Sequence, residues 1–308
     1  MDFSFTPDQL ALRDGLREAL KGLDDAPDAA LAWSRLSDLG LPVALVPEAD
    51  GGLGLDELDL VLCVEETGRA ALPVPVVETC LVAPHLLTPA ALGEPATVVL
   101  DGSDLAPWAG LARTALVGDR TAVRRTPALN PVHAVDPYRP LGRPTAPGER
   151  LDVDRGALDK GWRAGVLGTA AQLVGLGARA VELAVEHVRE RHQFGVPVGS
   201  FQAVKHQLAD GYRAVELARP LVHAAAWAQA TGAPTAERDV SAAKARAGTA
   251  AGLAARAALQ CHGAMGYTRE HPLHRWLTRI WALQAAWGTG AEHREVVARA
   301  LGLIEEDA

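Results

Sequence analysis

Apolar residues recur at helical spacing through most of the first ninety positions. Thr6 can cap a helix that starts at Pro7, with Gln9 placed to complete a capping box. Leucines then follow at positions 10, 12, 16 and 20. Similar patterns predict helices over residues 28–39, 56–69 and 75–88. The sequence therefore predicts an N-terminal helical domain over residues 1–90.

The pattern changes over residues 91–155, where prolines and glycines are frequent. Short β-prone runs occur at 96–100, 115–117, 121–123 and 132–135. These runs predict a small sheet joined by turns. At 65 residues, the segment is short for an independent β domain.

Helical periodicity returns after residue 156 and continues to the C-terminus. Alanine and leucine dominate, proline is rare, and helices are predicted over 156–191, 200–231, 236–260, 272–286 and 290–303. Long helices with short connections favour an antiparallel four-helix bundle over residues 156–308. The glycines at 165, 168, 175 and 177 do not follow a strand, so we expect them to permit close helix packing. The predicted fold class is mainly α.

Composition and charge narrow the class of protein. The chain has 308 residues, 48% hydrophobic content, a net charge of −8 and a pI of about 5.7. That composition supports a large core, and the lack of a dominant basic face argues against nucleic-acid binding. The start of the chain lacks a signal-peptide pattern, and basic residues interrupt the alanine-rich stretch 242–259. Three scattered cysteines suit reduced thiols. We therefore expect a soluble, cytoplasmic protein without a membrane span.

Motifs for metal or nucleophilic chemistry are weak. His271 and His274 lie three positions apart, but Pro272 between them disfavours a regular helical metal-binding face. The sequence contains no H-E-x-x-H motif, nucleophile elbow or Walker A loop. No metal site is predicted.

Several motifs stand in a recognisable order along the chain. The first group comprises Gly51–Gly54 (GGLG) and Glu65–Arg69 (EETGR), the second Arg191–Gly195 (RHQFG) with Phe201-Gln202, and the third Gln260–Tyr267 (QCHGAMGY). Together they resemble motifs of the acyl-CoA dehydrogenases. The resemblance covers roughly residues 1–90 and 156–305, and it leaves the middle segment unmatched.

The resemblance implies an FAD cofactor shared across a subunit interface, because these family elements reach the FAD held mainly by a neighbouring subunit. The residues that the resemblance assigns to cofactor binding are Arg191, Gln193, Phe194, Gln260, Gly263 and Thr289. An arginine provides a planar donor fork for pyrophosphate, and a glycine-rich turn lets backbone donors approach closely. The plainer alternatives are that Arg191 is an exposed helix-end cation and Gly263 a helix stop. Ala264 also replaces a family glycine.

The catalytic base of the family is missing. Most members place a glutamate in an E-G-T triplet, and the matching triplet here is Trp287-Gly288-Thr289. An indole N–H is only a donor and cannot act as a general base. Other members place the base on the first bundle helix, at a position that corresponds to about Gly165. Asp159 is the nearest carboxylate there, and it is more typical of an acid near a helix start.

The other acidic residues near the triplet, Glu292 and Glu295, are expected on a solvated or ion-paired face. The short middle segment also lacks the family's W-I-T-like strand. Both departures resemble the degenerate subunit of bacterial heterotetramers that act in steroid and other bulky acyl-CoA catabolism. The hypothesis is an acyl-CoA dehydrogenase subunit that works with a homologous, base-bearing subunit, which supplies the acyl-CoA site. The alternatives are a non-catalytic structural partner and a flavin-dependent oxygenase-like relative.

Overall fold

The computed structural model describes residues 4–23 and 28–304. Residues 1–3, at the chain start that lacks a signal-peptide pattern, and residues 305–308 of the predicted bundle lie outside these ranges. The N-terminal part consists of α1 (Pro7–Ala19), α2 (Ala29–Asp38), α3 (Glu57–Arg69), a π-helical segment (Val77–Val82) and α4 (Ala83–Leu86).

Local sequence signals explain where these helices begin. The Thr6 hydroxyl accepts the Gln9 amide at 3.2 Å, and the Gln9 side chain accepts the Thr6 amide at 2.9 Å, so the predicted capping box is confirmed. The carboxylate of Asp28 caps α2 in the same way. The helix predicted over 75–88 is present, but its first six residues take the wider π form.

The Glu65–Arg69 motif has a structural role. Glu65 pairs with Arg219, Glu66 pairs with Arg17, and Arg69 pairs with Glu182. Glu65 and Glu66 are both buried, so each requires a cationic partner. The motif therefore connects α3 to three other helices, which carry Arg17, Glu182 and Arg219.

The middle segment forms seven short strands in two sheets. They are β1 (Ala96–Val99), β2 (Ala106–Pro107), β3 (Thr114–Gly118), β4 (Val123–Thr126), β5 (Leu129–Val132), β6 (Leu141–Pro144) and β7 (Glu149–Arg150). One sheet has the order β1-β3-β4-β7, with β1 and β3 parallel, and the other is the antiparallel β2-β6-β5.

Two predicted strands are misplaced. Residues 121 and 122 are not in a strand, because the Asp119 carboxylate accepts the amides of Thr121 and Ala122 and closes a turn before β4. The strand predicted over 132–135 instead ends at Val132, where its pairing with β6 stops. In both places local hydrogen bonding and strand pairing override β propensity.

The C-terminal half begins with α5 (Arg155–Glu190), followed by a hairpin of β8 (His192–Gln193) and β9 (Val196–Pro197). Four helices follow: α6 (Gln202–Ala230), α7 (Ala236–His262), α8 (His274–Ala285) and α9 (Gly290–Ala300). Helix α5 packs against α3, α6, α7 and α8, and α9 packs against α7. The predicted mainly α architecture with a C-terminal bundle is confirmed.

A buried ion pair holds the middle segment on the bundle. The guanidinium of Arg279, on α8, pairs with Asp136 and donates to the backbone carbonyls of Leu72 at 2.8 Å and Tyr138 at 3.2 Å. Both charged side chains are almost fully buried. One guanidinium thus joins three parts of the chain.

Helix α5 is long and apolar enough, by length and composition, to cross a membrane. However, 89% of its apolar window is buried inside the protein. Helix α5 is therefore buried as a central core helix is, and its neighbouring helices pack against it.

Glycines on α5 set how closely its neighbours approach, as the sequence predicted. A β-carbon on Gly175 would lie 2.0 Å from the Glu65 carbonyl oxygen, and one on Gly68 would lie 2.3 Å from the Gln172 carbonyl oxygen. Helices α3 and α5 therefore meet backbone to backbone, with a glycine from each at the crossing.

Replacing Gly175 by alanine should separate these helices, because the added methyl group has no space. We expect G175A to lose about 1–3 kcal/mol or more of unfolding free energy, measured by urea denaturation. The control is G161A in the same helix, where a β-carbon would meet its nearest neighbour at 3.4 Å. That variant should be neutral or up to about 1 kcal/mol more stable. Equal stability of the two variants would contradict the packing argument.

Candidate functional site

Trp287 and Gly165, the two positions that the sequence resemblance predicts for a catalytic base, lie in contact. A β-carbon on Gly165 would lie 2.5 Å from Cε3 of Trp287, so the indole packs directly on the backbone of α5. Trp287 is 5% exposed, and its ring centroid lies 5.7 Å from that of Trp162. An aromatic side chain and a glycine therefore fill the space at both predicted positions.

Hydrogen bonds from side chains to the backbone of this loop hold Trp287 in position. The residue has a left-handed conformation, with φ of 57°. Nε2 of His293 donates to the Trp287 carbonyl at 2.8 Å, and Nδ1 of His293 faces the Ser241 hydroxyl at 3.2 Å. The ammonium group of Lys244 donates to the Gly288 carbonyl at 2.9 Å. Helix α7 thus supplies two side chains that fix the loop before α9.

The three acids that the sequence places near these positions have other partners. Asp159 accepts two bonds from Arg120, at 2.8 and 3.0 Å, and it also pairs with Arg155. Glu292 completes the capping box of α9 with Thr289, and Glu295 pairs with Arg299. The predicted structural roles of all three acids agree with this geometry.

The space around Trp287 is a poor fit for FAD held by this chain. A cavity of about 190 Å³ lies between β1 and α8, below the roughly 300–1,000 Å³ usual for a small-molecule site. A larger cleft of about 740 Å³ borders Thr289, but four carboxylates line it: Asp101, Asp119, Glu237 and Glu292. Arg120, which also lines it, is paired with Asp159 and Glu237. Such a surface repels a pyrophosphate. Thr289 as a cofactor ligand remains a prediction that this surface does not favour.

The Arg191–Gly195 segment projects from the opposite end of α5. Phe194, at the tip of the hairpin, is 90% exposed with φ of 55°, and its ring meets that of Phe201 edge to face at 6.1 Å. The side chains of Arg191 and Gln193 are exposed. Within the described ranges, no hydrogen bond or ion pair engages the Arg191 guanidinium. The hairpin therefore presents a cation, an amide and an aromatic ring outward.

The Gln260–Tyr267 segment ends α7 beside this hairpin. The Gln260 side chain is exposed, and the backbone carbonyl of Gln260 accepts the Gly263 amide, which closes the helix. Gly263 has φ of 58° and ψ of −136°, a conformation suited to glycine. Ala264 is also exposed, so its methyl group leaves the fold of the turn unaffected.

The predicted cofactor residues divide into two groups. The rings of His187 and His262 stack with centroids 4.3 Å apart, which brings the C-terminal ends of α5 and α7 together. Arg191, Gln193 and Phe194 thus share one end of the bundle with Gln260 and Gly263. Gly165, which contacts Trp287, lies 22 residues before His187 on α5. At about 1.5 Å per residue, this separation is about 33 Å along the helix. Thr289 belongs to that distant end.

The stacking of His187 on His262 belongs to a cluster of histidines that the sequence did not indicate. Ligand atoms of His187, His262 and His271 lie within 4.8 Å of one another. His274, considered earlier with His271, instead hydrogen-bonds through Nδ1 to the His271 carbonyl at 2.9 Å. His187 and His262 are 75 positions apart, so no local spacing could have indicated that they meet.

Comparisons with known proteins give a consistent result. The family model described as "Acyl-CoA dehydrogenase, C-terminal domain" matches residues 163–302, and the corresponding N-terminal domain model matches residues 6–91. Acyl-CoA dehydrogenase IpdE2 of Mycobacterium tuberculosis is 35% identical over 265 residues, which covers 80% of this chain and 79% of that protein.

Solved structures share the fold at lower identity. A chain of the ChsE4-ChsE5 complex from Mycobacterium tuberculosis superposes with a TM-score of 0.82 at 24% identity, covering 99% of this chain and 100% of that one. A chain of the Tcur3481-Tcur3483 steroid ACAD G363A variant gives 0.80 at 21% identity, covering 96% and 98%.

The buried Lys244 should give the stability a distinctive pH dependence. Burial lowers the pKa of this ammonium group from 10.5 to about 7, so between these values the unfolded chain binds one more proton than the folded chain. Stability contributed by this group therefore rises with pH above 7. Relative to Lys244→Met, the unfolding free energy of the natural protein should increase by on the order of 2 kcal/mol between pH 7 and 9.

The measurement is urea denaturation of both proteins across that pH range. A constant offset from the lost bond to Gly288 does not affect the slope. Lys205→Met, which removes an exposed lysine, is the control and should follow the natural protein. A pH-independent difference between the natural protein and Lys244→Met would show that the buried amine does not titrate here.

Proposed function

Because this chain belongs to the acyl-CoA dehydrogenase family, we propose that it acts as a non-base subunit of a mixed oligomer that desaturates an acyl-CoA thioester. A homologous partner subunit supplies the catalytic carboxylate and the acyl-CoA site. The chain itself supplies cofactor contacts across the interface. FAD, when bound, provides the acceptor for the hydride removed from the substrate.

One observation carries this proposal: the Trp287 indole lies against Gly165, at the point where the two alternative base positions converge. Abstraction of an α-proton requires a group that can accept a proton within hydrogen-bond reach. The indole has no such lone pair, and glycine has no side chain. The chemistry therefore has to be completed by a carboxylate on another chain.

The exposed end of the bundle supports the cofactor role. Arg191, Gln193 and Phe194 extend from the hairpin beside Gln260 and Gly263, and all three side chains are exposed. A guanidinium suits pyrophosphate, and an amide and an aromatic face suit the polar and planar parts of a dinucleotide. Because the Trp287 region lies about 33 Å away along α5, these residues would serve a flavin held mainly by a neighbouring chain.

The partner and substrate are proposed from chemistry and likeness together. The similar structures include one described as a complex of two differently named chains and one described as a steroid ACAD. We propose a heterotetramer with a homologous acyl-CoA dehydrogenase subunit, acting in the cytoplasm on a bulky acyl-CoA such as a steroid-derived one. In this proposal, residues 1–90 and 156–308 build the interface and cofactor surfaces, and the shortened segment 91–155 replaces a full flavin-binding β domain.

Flavin stoichiometry tests the division of labour. The chain purified alone should contain little FAD and should not desaturate an acyl-CoA. The complex co-expressed with its base-bearing partner should carry about one FAD for every two chains, measured by flavin absorbance against protein concentration. Full occupancy and turnover by the isolated chain would overturn the proposal. Oxygen transfer by the reduced complex would instead favour an oxygenase-like activity.

The Arg191 side chain offers a sharper test within that complex. Arg191→Gln removes the positive charge from an exposed site, so we expect weaker FAD retention by at least about tenfold, the loss of one charge-assisted bond. Arg189→Gln removes an equally exposed arginine two positions earlier and should leave retention unchanged. If Arg191→Gln assembles normally and holds FAD like the control, the chain is a structural partner only.

A further inference from the structure

Three imidazoles from three parts of the chain converge beside the exposed end of the bundle. His187 lies in the last turn of α5, His262 ends α7, and His271 lies in the loop before α8. The His262 ring centroid lies 4.3 Å from that of His187 and 4.4 Å from that of His271. His262 is therefore the centre of the cluster.

The central imidazole has an unused, oriented lone pair. Nδ1 of His262 lies 2.7 Å from the Ala258 carbonyl, so this nitrogen carries the proton and donates it. Nε2 is then the acceptor, and it is buried with no hydrogen-bond partner among residues 4–23 and 28–304, in a side chain that is 4% exposed. A buried acceptor without a partner is costly unless another group satisfies it.

Protons do not fill this role near neutral pH. Burial and the neighbouring histidines lower the pKa of His262 to about 4, and burial also lowers the pKa values of His187 and His271. The charge of Arg191 lowers the pKa of His187 further. The lowered pKa values favour the neutral imidazole, the form in which histidine binds metals.

We propose that His187, His262 and His271 form a binding site for a divalent transition metal ion such as Zn²⁺. Imidazole nitrogen suits zinc, cobalt, nickel and copper, whereas magnesium and calcium prefer oxygen ligands. The Ala258 carbonyl orients His262 in the way that outer hydrogen bonds orient metal-binding histidines. His187 and His271 are partly exposed, which leaves a route for the ion and a fourth ligand position for water.

Metal binding requires a small closure of the cluster. Nitrogens around a tetrahedral zinc lie about 3.4 Å apart, given Zn–N distances of about 2.0–2.1 Å. The ligand atoms here span up to 4.8 Å, so the longest separation must shorten by about 1.4 Å. The stacked rings of His187 and His262 must also tilt for their lone pairs to converge.

His271 must give up a hydrogen bond to bind a metal ion. Its Nδ1 accepts the Leu273 amide at 3.1 Å, which places the proton on Nε2 in the metal-free protein. Coordination therefore requires the ring to turn and to release the Leu273 amide. This gives metal binding a local signature, a shift of the Leu273 amide resonance, that adventitious surface binding would not produce.

The position of the site links it to the proposed cofactor surface. His187 lies four residues before Arg191, and His262 directly precedes Gly263. An ion held here would fix both segments relative to each other. This coupling rests on the proposed function, whereas metal binding itself does not.

The test uses the isolated full-length chain, free of any affinity tag and stripped with a chelator. Titration with Zn²⁺ by calorimetry should show one ion per chain. Co²⁺ should give the visible absorption of a tetrahedral site. His262→Gln and His187→Gln should each weaken binding by about tenfold or more, at least the effect of losing an outer hydrogen-bond partner. His206→Gln, an exposed histidine on α6, should bind like the natural protein.

Several outcomes would overturn the proposal. The first is a titration without a saturable site, and the second is equal Zn²⁺ affinity in the natural protein and both cluster variants. The third is a Leu273 amide resonance that does not shift at saturation. His187→Gln changes a partly exposed residue, so it remains informative if His262→Gln fails to fold. The metal titration involves neither flavin nor a partner subunit, so a negative result would not contradict the proposed function. Conversely, loss of flavin from the complex would not contradict the metal site.

Discussion

The architecture depends on the close approach of other backbone and side-chain groups to the glycines of α5. At Gly175 the helix meets the Glu65 carbonyl of α3, and at Gly165 it meets the Trp287 indole. Each contact exists because glycine has no β-carbon there. Van der Waals packing at such distances tolerates little change in volume, which makes α5 the common reference for the N-terminal helices, the bundle and the loop before α9.

The two ends of α5 have opposite characters. Near Gly165 the Trp287 indole packs on α5, and the neighbouring cleft is bordered by carboxylates at Asp101, Asp119 and Glu237, so it does not suit a pyrophosphate. Near Glu190 the chain turns outward and exposes Arg191 and Phe194. A single rigid helix of 36 residues keeps these ends apart. That separation is why the proposed cofactor role points across an interface.

Buried charges maintain this arrangement more by specifying geometry than by adding stability. Lys244 loses most of its hydration to donate to the carbonyl of Gly288, next to Trp287. Arg279 and Asp136 are both buried where the middle segment meets α8. The desolvation of such groups offsets much of their attraction, but removing one partner would leave an uncompensated charge. The loop that carries Trp287 is thereby held in one conformation.

Local patterns were sufficient for the helices and for the capping box at Thr6, because each depends on residues a few positions apart. They failed at residues 121–122, where the Asp119 turn overrides β propensity, and they could not indicate the π form of Val77–Val82. The contact between Gly165 and Trp287 joins positions 122 residues apart, and the His187–His262 contact joins positions 75 apart. Such contacts arise only when helices pack, since packing, and not spacing along the chain, determines which side chains share a buried space.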